Sequence, residues 1–451
     1  MLPREDSPSG DHLPPVSSPD CITNPSPCFP KEYKPGQDSM KDFFKLISSS
    51  DFISLFDHFS PLDRETIPLT VARGRVLAED IVSREALPPF SRSTMDGFAV
   101  RAADTFGSSE SETALLTLIG EIAMGVSGQA FVLRPGQAVR IWTGGELPQK
   151  ANAVVMVEYT QSYDDETVAI YRPVAPGENV IRAGEDFAKG ATVLAQGSML
   201  RPQDLGVLSG LGIIEVPVYR RPRVAILSTG DELVPVDQVP PPGKIRDINS
   251  TTLAALVEEA GGIPVICGIC GDDLDDIRTV CTQALARADI LLLSGGSSVG
   301  RRDFTLQVFQ ALPETEVLVH GVSIRPGKPT ILARQGNKAL FGLPGHVASA
   351  MVIFSLFVRP LLRQYSGLGT TLGLQTIRAI TAEQIPSVIG REEYVRVRLT
   401  PQADGSPPLA TPVYGKSGLL GPLVRADGLL PIGRDVEGFD RGIETPVFLF
   451  P

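Results

Sequence analysis

The stretch ADILLLSGGSSVGRRDF, residues 288–304, passes from an apolar run into a turn of glycine and serine and then reaches an aspartate. An apolar run that breaks at glycine is typical of a strand buried in a parallel sheet. Gly295 and Gly296 let the backbone turn sharply, and their N–H groups would form an oxyanion-attracting concavity. The hydroxyls of Ser297 and Ser298 would add donors to it. A plain loop can have the same sequence, so the turn alone does not identify a site.

Strands and helices alternate along the chain on both sides of this stretch. Apolar runs that end at glycine predict strands at 221–233 and 263–269. Helical apolar spacing predicts helices at 249–262, 272–288, 303–312 and 346–365. Asn249 or Ser250 is the expected N-cap of the first helix, and Gly261 lies just past its end. The alternation is that of βαβ units, so we expect a parallel sheet covered on both faces.

The remaining segments differ in character from this α/β region. Residues 1–40 are rich in proline, serine and aspartate without an apolar period, which predicts a disordered tail. Residues 41–63 have helical apolar spacing up to Pro61. Short alternating runs separated by glycine and proline predict β-structure over 64–220 and a separate small β-domain after residue 370.

The charge balance limits the classes of partner. Lys and Arg number 41 against 52 Asp and Glu, a formal net charge of −11, so we expect no nucleic-acid and no membrane partner. The N-terminus is polar rather than apolar, and the most apolar run, residues 350–358, is far shorter than the ~20 residues of a membrane span. These features predict a cytoplasmic protein.

Five cysteines, an odd number, predict free thiols rather than a disulfide framework. Cys267 and Cys270 form a single C-x-x-C, which a zinc site would need to complete with further ligands nearby in the sequence. We therefore interpret both as small apolar side chains on a buried strand.

Acidic side chains follow predicted strand ends at three places: Asp231 with Glu232, Asp272 with Asp273, and Asp303. Parallel strands with right-handed crossovers end at one edge of the sheet, so these carboxylates should lie together. Clustered carboxylates favour a hard cation, most plausibly Mg²⁺. For Asp272 or Asp273 alone, or Asp303 alone, helix capping is the better interpretation, whereas the set favours a metal site.

Two further turns favour anions. Arg325 and Lys328 lie in the proline-containing turn SIRPGKPT, which in isolation would equally suit a solvated basic turn. Pro344 and Gly345 precede the last predicted helix, whose N-terminus also favours negative charge. Together with the carboxylates, these turns predict a phosphate-containing substrate and a metal.

Nine motifs in this order resemble the MoeA family of molybdenum insertion enzymes, which includes the E domain of gephyrin. They are PPFSRSTMDGFAVR, VRIWTGGELP, ANAVVMVE, NVIRAGED, AILSTGDEL, LLLSGGSSVGRRDF, RPGKP, GLPGHVASA and GKSGLLGPLVRADGLLPI. The resemblance covers residues 64 to about 445 and is specific because the motifs are collinear.

The resemblance implies a multidomain fold of class α/β plus β. Its parts would be a helix at 41–63 packing on the α/β domain, an elongated linker domain (64–82 and 189–217), an inserted β-domain (83–188), a MogA-like molybdopterin-binding α/β domain with a parallel-dominated sheet (218–370) and a C-terminal small β-barrel domain (371–451). Members of the family are homodimers, with the active cleft between the α/β domain of one chain and the inserted domain of the other.

The implied activity inserts molybdate into adenylylated molybdopterin and releases AMP with the help of Mg²⁺. Two alternatives remain: a molybdopterin adenylyltransferase, which would consume ATP and release pyrophosphate, and a non-catalytic scaffold that keeps the fold. Candidate further partners are a molybdopterin adenylyltransferase and recipient molybdoenzymes.

The family's functional residues can be placed on this sequence by motif. On the pterin side, contributed across the dimer cleft, would be Asp96, Thr143 and Asp186. Around Mg²⁺ and its water would be Glu232, Asp272 and Asp303, together with Asp231. Binding of molybdate or phosphate is implied for Gly295, Gly296, Ser297, Ser298, Arg325, Lys328, Pro344 and Gly345.

Four positions depart from the family pattern. Gly321 stands where many relatives have a basic residue, and Val347 where many have proline; Asn152 replaces a common aspartate and Trp142 a methionine. The loss of a positive charge at Gly321 predicts weaker molybdate binding or an altered preference between molybdate and tungstate. No departure removes a carboxylate of the expected metal site.

Overall fold

The computed structural model describes residues 46–295 and 304–450. Helix α1 spans Ser49–Ser54. Its N-cap is Ser48, whose hydroxyl accepts the Asp51 N–H, and the helix continues as a 3₁₀ turn, Leu55–His58. The helical segment is therefore shorter than the predicted 41–63, of which residues 41–45 lie outside the described part. The side chains of Phe52 and Phe56 are fully buried in the core of the α/β region.

Two segments that form β-strands flank the inserted domain in the sequence, one before it and one after it. The chain first forms β1 (Arg64–Pro68) and β2 (Ile81–Val82). The inserted strands β3 to β10 are Arg92–Ser93, Gly97–Val100, Ala114–Ile122, Gln137–Ile141, Ala153–Met156, Thr160–Ser162, Thr167–Ile170 and Val180–Ile181. Six of them form a sheet in the order β7-β4-β6-β5-β9-β8, and β10 pairs with β3.

The chain then returns to the first two strands. The returning elements are β11 (Thr192–Leu194), α2 (Pro202–Gly210) and β12 (Glu215–Tyr219). Strand β11 pairs with β2 and β12 pairs with β1, both antiparallel. The bounds predicted for the individual domains stay a prediction.

The α/β region contains strands and helices in alternation, as its sequence predicts. Its elements are β13 (Arg223–Thr229), β14 (Leu233–Val234), β15 (Ile245–Arg246), α3 (Asn249–Glu259), β16 (Ile263–Cys270), α4 (Leu274–Leu285), β17 (Ile290–Ser294), α5 (Phe304–Ala311), β18 (Thr315–His320), β19 (Ile324–Arg325), β20 (Ile331–Gln335), β21 (Lys338–Leu343), α6 (Val347–Ile353) and α7 (Arg359–Tyr365). The strand order of the main sheet is β16-β13-β17-β21-β20-β18.

Parallel strands dominate the sheet, as the resemblance implies, but the sheet is antiparallel at one side. Strands β16, β13, β17 and β21 are parallel, but β20 runs antiparallel to both of its neighbours. A two-residue turn joins β20 to β21, with Gln335 paired to Lys338 and Gly336 at φ +59°. So tight a hairpin can only connect antiparallel strands.

Both faces of the sheet are covered, as predicted. Along β13, Val224 and Ile226 pack with α1, α3, α6 and α7, whereas Ala225 and Leu227 pack with α4 and α5. The long segment Val347–Tyr365 is apolar enough to span a membrane, but 83% of it is buried inside the protein. This segment is the central core helix. It contains a π-helical turn at Phe354–Val358, just before Pro360, because proline has no N–H and therefore interrupts the α-helical hydrogen bonds.

The C-terminal region forms a closed barrel. Its elements are β22 (Thr376–Thr381), β23 (Ile385–Pro386), β24 (Glu392–Thr400), β25 (Leu409–Pro412), α8 (Gly421–Val424), β26 (Gly428–Ile432), β27 (Gly438–Phe439) and β28 (Glu444–Leu449). The strands close in the order β24-β25-β22-β28-β26, because β26 also pairs with β24. Strand β19 of the α/β region pairs with β24 and so ties the barrel to that region.

Candidate functional site

The carboxyl ends of β13 and β16 bring two of the predicted carboxylate positions into contact. The two strands are parallel neighbours and pair as far as Thr229 and Cys270. Just beyond them, the Asp272 backbone N–H donates to Asp231 Oδ1 at 3.1 Å. Glu232 folds back over Gly230, where an added Cβ would lie 2.5 Å from the flexible end of the Glu232 side chain, and the φ of +150° at Gly230 favours glycine.

Asp273 is the residue that caps helix α4 at this edge of the sheet. Its carboxylate Oδ1 accepts the N–H groups of Asp275 and Asp276, each at 3.0 Å, at the start of α4. The capping alternative is therefore confirmed for Asp273 and does not apply to Asp272. Asp303 lies outside the described residues, and within 46–295 and 304–450 no group of three or more acidic, cysteine or histidine side chains is arranged to hold a metal ion. The predicted Mg²⁺ site thus stays a prediction.

The glycine-rich turn after β17 begins in close contact with its neighbours. Gly295 has φ +113°, and an added Cβ would lie 2.2 Å from the Thr229 carbonyl oxygen. Its Cα lies 3.6 Å from the position of a Cβ on Gly345, which follows the buried Pro344. Two of the predicted anion-binding turns are therefore adjacent, while Gly296, Ser297 and Ser298 lie outside the described residues.

A buried polar network below these turns was not predicted as part of the site. Asn249 Nδ2 donates to Ser294 Oγ at 2.6 Å and to the Gly345 carbonyl at 2.8 Å. The prediction that Asn249 or Ser250 is the N-cap of α3 is wrong, because α3 begins at Asn249 and the Asp247 carboxylate accepts the Ser250 N–H. Asn249 Oδ1 is buried without a hydrogen-bond partner in the described part of the chain. The side chain thus offers an acceptor beside the two glycine turns.

The predicted basic turn lines a cavity of about 420 Å³ at the junction with the barrel. Arg325 and Lys328 lie on one wall, and the barrel contributes Arg396, Lys416 and Ser417. Arg396 Nη2 donates to the Gly415 carbonyl at 2.6 Å, while its buried Nη1 has no hydrogen-bond partner among the described residues. Burial lowers the pKa of Arg396 from its ordinary value. The cavity therefore presents a partly desolvated, incompletely paired guanidinium, which favours an anion.

A partly buried carboxylate, that of Glu393, orients Arg325 in this cavity. Arg325 Nη1 lies 3.2 Å from Glu393 Oε1, and Ser387 Oγ donates to Glu393 Oε2 at 2.8 Å. The β19–β24 pairing sets Arg325 directly opposite Glu393. The position of the basic turn thus depends on the barrel. The sequence of the turn alone therefore could not distinguish a solvated surface turn from a binding site.

One departure from the family pattern, Val347, lies in the turn beside this cavity, whose lining includes the next two residues, Ala348 and Ser349. His346 Nδ1 lies 3.0 Å from Ser417 Oγ, and the Ala348 N–H donates to the Ser417 carbonyl at 3.1 Å. Val347 is buried against Leu423 of the barrel. The residues of this turn therefore hold the Ser417 loop against the core helix.

In the inserted domain, Asp96 and Thr143 form a direct pair. Asp96 Oδ1 accepts the Thr143 backbone N–H at 2.8 Å and its hydroxyl at 2.7 Å. Both bonds lower the pKa of Asp96 from its ordinary value, and the bond from the Thr143 backbone has the larger effect. Asp186 follows β10, the partner of β3, and its N–H donates to the Leu87 carbonyl. The contact between Asp96 and Thr143 was not predicted.

We expect Thr143→Val to raise the pKa of Asp96. The variant removes the hydroxyl donor and keeps the backbone donor, so the charged carboxylate loses part of its stabilisation. NMR titration of the Asp96 carboxyl carbon measures the shift. Thr143→Ser, which keeps the hydroxyl, should titrate like the parent protein; an unchanged pKa in the valine variant would contradict the pairing.

The thiols of the described residues are free, in agreement with the prediction. Cys267, Cys270 and Cys281 form no disulfide. Burial raises the pKa of all three, that of Cys281 to about 12. They remain protonated near neutral pH and pack against the α4–α5 face of the sheet.

Family models match three consecutive parts of the chain. The MoeA N-terminal region (domain I and II) matches residues 47–212, the probable molybdopterin binding domain matches 225–364, and the MoeA C-terminal region (domain IV) matches 378–450. The fold and the site thus define a multidomain protein built around an α/β domain of the molybdopterin-binding type.

Relatives extend this similarity to nearly the whole chain. Molybdopterin molybdenumtransferase of Bacillus subtilis is 34% identical over 391 residues, covering 86% of this chain and 90% of the relative. Molybdopterin molybdenumtransferase 2 of Mycobacterium tuberculosis is 35% identical over 387 residues, covering 85% and 94%. The crystal structure of the MoeA molybdopterin biosynthesis protein of Pyrococcus horikoshii, 35% identical, gives a TM-score of 0.77 and covers 90% of this chain and 100% of that chain. The chain belongs to the MoeA family and is a transferase of molybdenum cofactor biosynthesis.

Proposed function

We propose that this protein inserts molybdate into adenylylated molybdopterin and releases AMP with the help of Mg²⁺. The observation that carries the proposal is the cavity at the barrel junction, whose partly paired Arg396 and neighbouring cations suit an oxyanion. The adjacent glycine turns and the carboxylates at adjoining strand ends, where the Asp272 backbone N–H donates to Asp231, suit a phosphoanhydride and its counter-ion.

Molybdate would bind in the cavity between the basic turn and the barrel. Arg396 Nη1 lacks a protein acceptor within the described residues, so an oxyanion oxygen would complete its hydrogen bonding. Arg325, held by Glu393, would supply a second fixed positive charge. Ser417 Oγ can donate to the anion when the His346 ring donates to it from Nδ1.

We expect Arg396→Gln to raise the KM for molybdate at least about tenfold, because it removes a charge-assisted hydrogen bond in a desolvated site. The turnover number should change far less, since the variant leaves intact the Gly295 turn and the sheet-edge carboxylates that would hold the phosphoanhydride. Arg398→Gln is the matched control: it removes the same charge two residues along β24 at an exposed position that does not line the cavity. Equal effects of the two variants would place molybdate elsewhere.

The residues at the sheet edge fit a magnesium ion by the chemistry of their donors. Carboxylate oxygens are the ligands that Mg²⁺ prefers, and Asp231, Glu232 and Asp272 lie at adjoining strand ends. With Asp303, they would hold the ion. When bound, Mg²⁺ would offset charge developing on the phosphoanhydride.

The chain's own residues would position the groups that react. The Gly295 N–H donates to the Leu343 carbonyl at 3.2 Å, so the donors for phosphate oxygens would come from the residues that follow Gly295 in the sequence. The Asn249 Oδ1 acceptor would receive a donor from the substrate. Water would attack the AMP phosphorus and the bridging P–O bond would break, so that AMP takes up the water oxygen and molybdopterin keeps its own phosphate. The two dithiolene sulfurs would then bind molybdenum, while one oxygen of molybdate leaves as water with the two thiol protons and molybdenum keeps its oxidation state.

We propose that the Asp96–Thr143 pair acts in the cleft of a partner chain in a homodimer. The two residues belong to the inserted domain, whereas the carboxylates at the sheet edge belong to the α/β region. The test is complementation between two inactive variants, Asp96→Ala and Asp272→Asn. If sites combine the two chains, random mixing restores about a quarter of the sites. If each site lies within one chain, mixing restores none.

The proposed function is tested by the product that accumulates. Purified protein is incubated with adenylylated molybdopterin, molybdate and Mg²⁺, and the product is supplied to an apo-molybdoenzyme whose activity is measured. We expect activity to be recovered without added ATP. Recovery only with ATP and free molybdopterin, accompanied by pyrophosphate, would indicate an adenylyltransferase, and no recovery in either case would indicate a scaffold.

A further inference from the structure

A second cavity, of about 370 Å³, lies near the other end of the core helix: Arg359 and Arg363 line it, whereas Ala348, Ser349 and Val352 line the first cavity. Its walls come from α7, from the end of α3, from the segment after β12, and from the turn 74–76. The lining contains four guanidinium groups and one carboxylate: Arg75, Arg221, Arg359, Arg363 and Glu259. It shares no residue with the cavity at the barrel junction.

Arg359 is buried in the wall of this second cavity. It is 4% exposed and forms an ion pair with Glu259, to which Nη1 donates at 3.3 Å. Its Nε has no hydrogen-bond partner within residues 46–295 and 304–450. Burial, and then the charge of Arg363, lower the pKa of Arg359 to about 10. A buried guanidinium next to a second cation is costly unless an anion compensates it.

The cavity retains positive charge after its internal pairs are counted. Arg75 is neutralised by Glu65 and also donates to the Tyr219 carbonyl at 2.8 Å. Three guanidinium groups then face the single carboxylate of Glu259, which leaves two positive charges. In a chain of formal net charge −11, such a local excess in a concave surface focuses anions.

We propose that this cavity binds a tetrahedral dianion of the phosphate class, separate from the proposed substrate site. Arg359 Nε would donate to the anion from the buried wall, with Arg363 and the exposed Arg221 above it. The ion is either free phosphate or the terminal phosphate of a nucleotide. Because the walls come from the α/β region and from the segments flanking the inserted domain, a bound anion would stabilise their junction.

The test measures binding of inorganic phosphate, and of AMP, by calorimetry and by the shift in melting temperature at constant ionic strength. The parent protein should bind phosphate and melt at a higher temperature with it. The double variant R221Q/R363Q avoids the buried arginine and should weaken binding at least about tenfold. Arg334→Gln removes one charge from an exposed ion pair with Glu316 and should bind phosphate within about twofold of the parent protein.

The Arg396→Gln variant separates the two cavities. Phosphate binding that survives in this variant and is lost in R221Q/R363Q supports the second site. Binding lost only in Arg396→Gln, or equal in all variants, would overturn the proposal. AMP binding that is tighter than phosphate binding and is weakened in R221Q/R363Q would identify a nucleotide as the source of the anion, whereas AMP binding that is unchanged in R221Q/R363Q would belong to the proposed substrate site and would identify free phosphate as the ion of the second cavity.

Discussion

Asp272→Asn is expected to lower AMP release from adenylylated molybdopterin by about 10²–10³-fold. Asp272 lies two residues past the end of β16, and its backbone N–H donates to Asp231 Oδ1. Asparagine keeps the size of the side chain and removes the charge, so one ligand of the proposed Mg²⁺ site is weakened. The free energy of unfolding should change by less than about 1 kcal/mol, because the side chain is not the helix cap.

Asp273→Asn is the matched control one residue further on. Asp273 caps α4 through the N–H groups of Asp275 and Asp276, and asparagine caps a helix about as well as aspartate. We expect nearly full activity, with a change in stability below about 1 kcal/mol. The rate of AMP release and the urea denaturation curve are measured for both Asp272→Asn and Asp273→Asn. Equal losses of activity would show that general negative charge at this edge, rather than a metal ligand, matters.

Gly295→Ala should destabilise the protein by about 3 kcal/mol or more and abolish activity. The residue has φ +113°, a conformation that costs an L-residue about 1–3 kcal/mol. The added Cβ would also lie 2.2 Å from the Thr229 carbonyl oxygen, so β13 and β17 would have to separate.

Gly261→Ala isolates the backbone contribution. Gly261 has φ +86° after α3, and an added Cβ there meets nothing within 4 Å. We expect a loss of only about 1 kcal/mol and unchanged turnover. Urea midpoints of the two variants provide the comparison. A stability loss at Gly295 no larger than that at Gly261 would contradict the close approach of the strands.

Periodicity and strand-end chemistry were enough to predict the sheet edge. The apolar run ending at Thr229 is a buried strand, whereas the run ending at Cys270 is the half-buried edge strand, so the prediction that Cys267 and Cys270 lie on a buried strand is wrong. The parallel pairing of the two strands follows from the helix α3 between them. The antiparallel β20 was missed, because Gly336 was not recognised as the turn of a two-residue hairpin. A glycine in a short polar segment between apolar runs was the available signal.

The barrel half of the oxyanion cavity could not be predicted from local pattern. Arg396 lies on an ordinary alternating strand, and only the pairing of β19 with β24 brings it near Arg325. The contact of Asp96 with Thr143 likewise joins residues 47 positions apart through the inserted sheet. The motif GKSGLL pointed to the Ser417 segment without indicating its contact with His346. Long-range contacts of this kind need the fold.

The most direct measurement of the central proposal is the rate of AMP release from adenylylated molybdopterin, with Mg²⁺ or with a chelator, and with or without molybdate. We predict that release requires the divalent ion and accelerates when molybdate occupies the cavity lined by Arg396. Release at the same rate in the presence of the chelator would contradict the proposed role of the strand-end carboxylates.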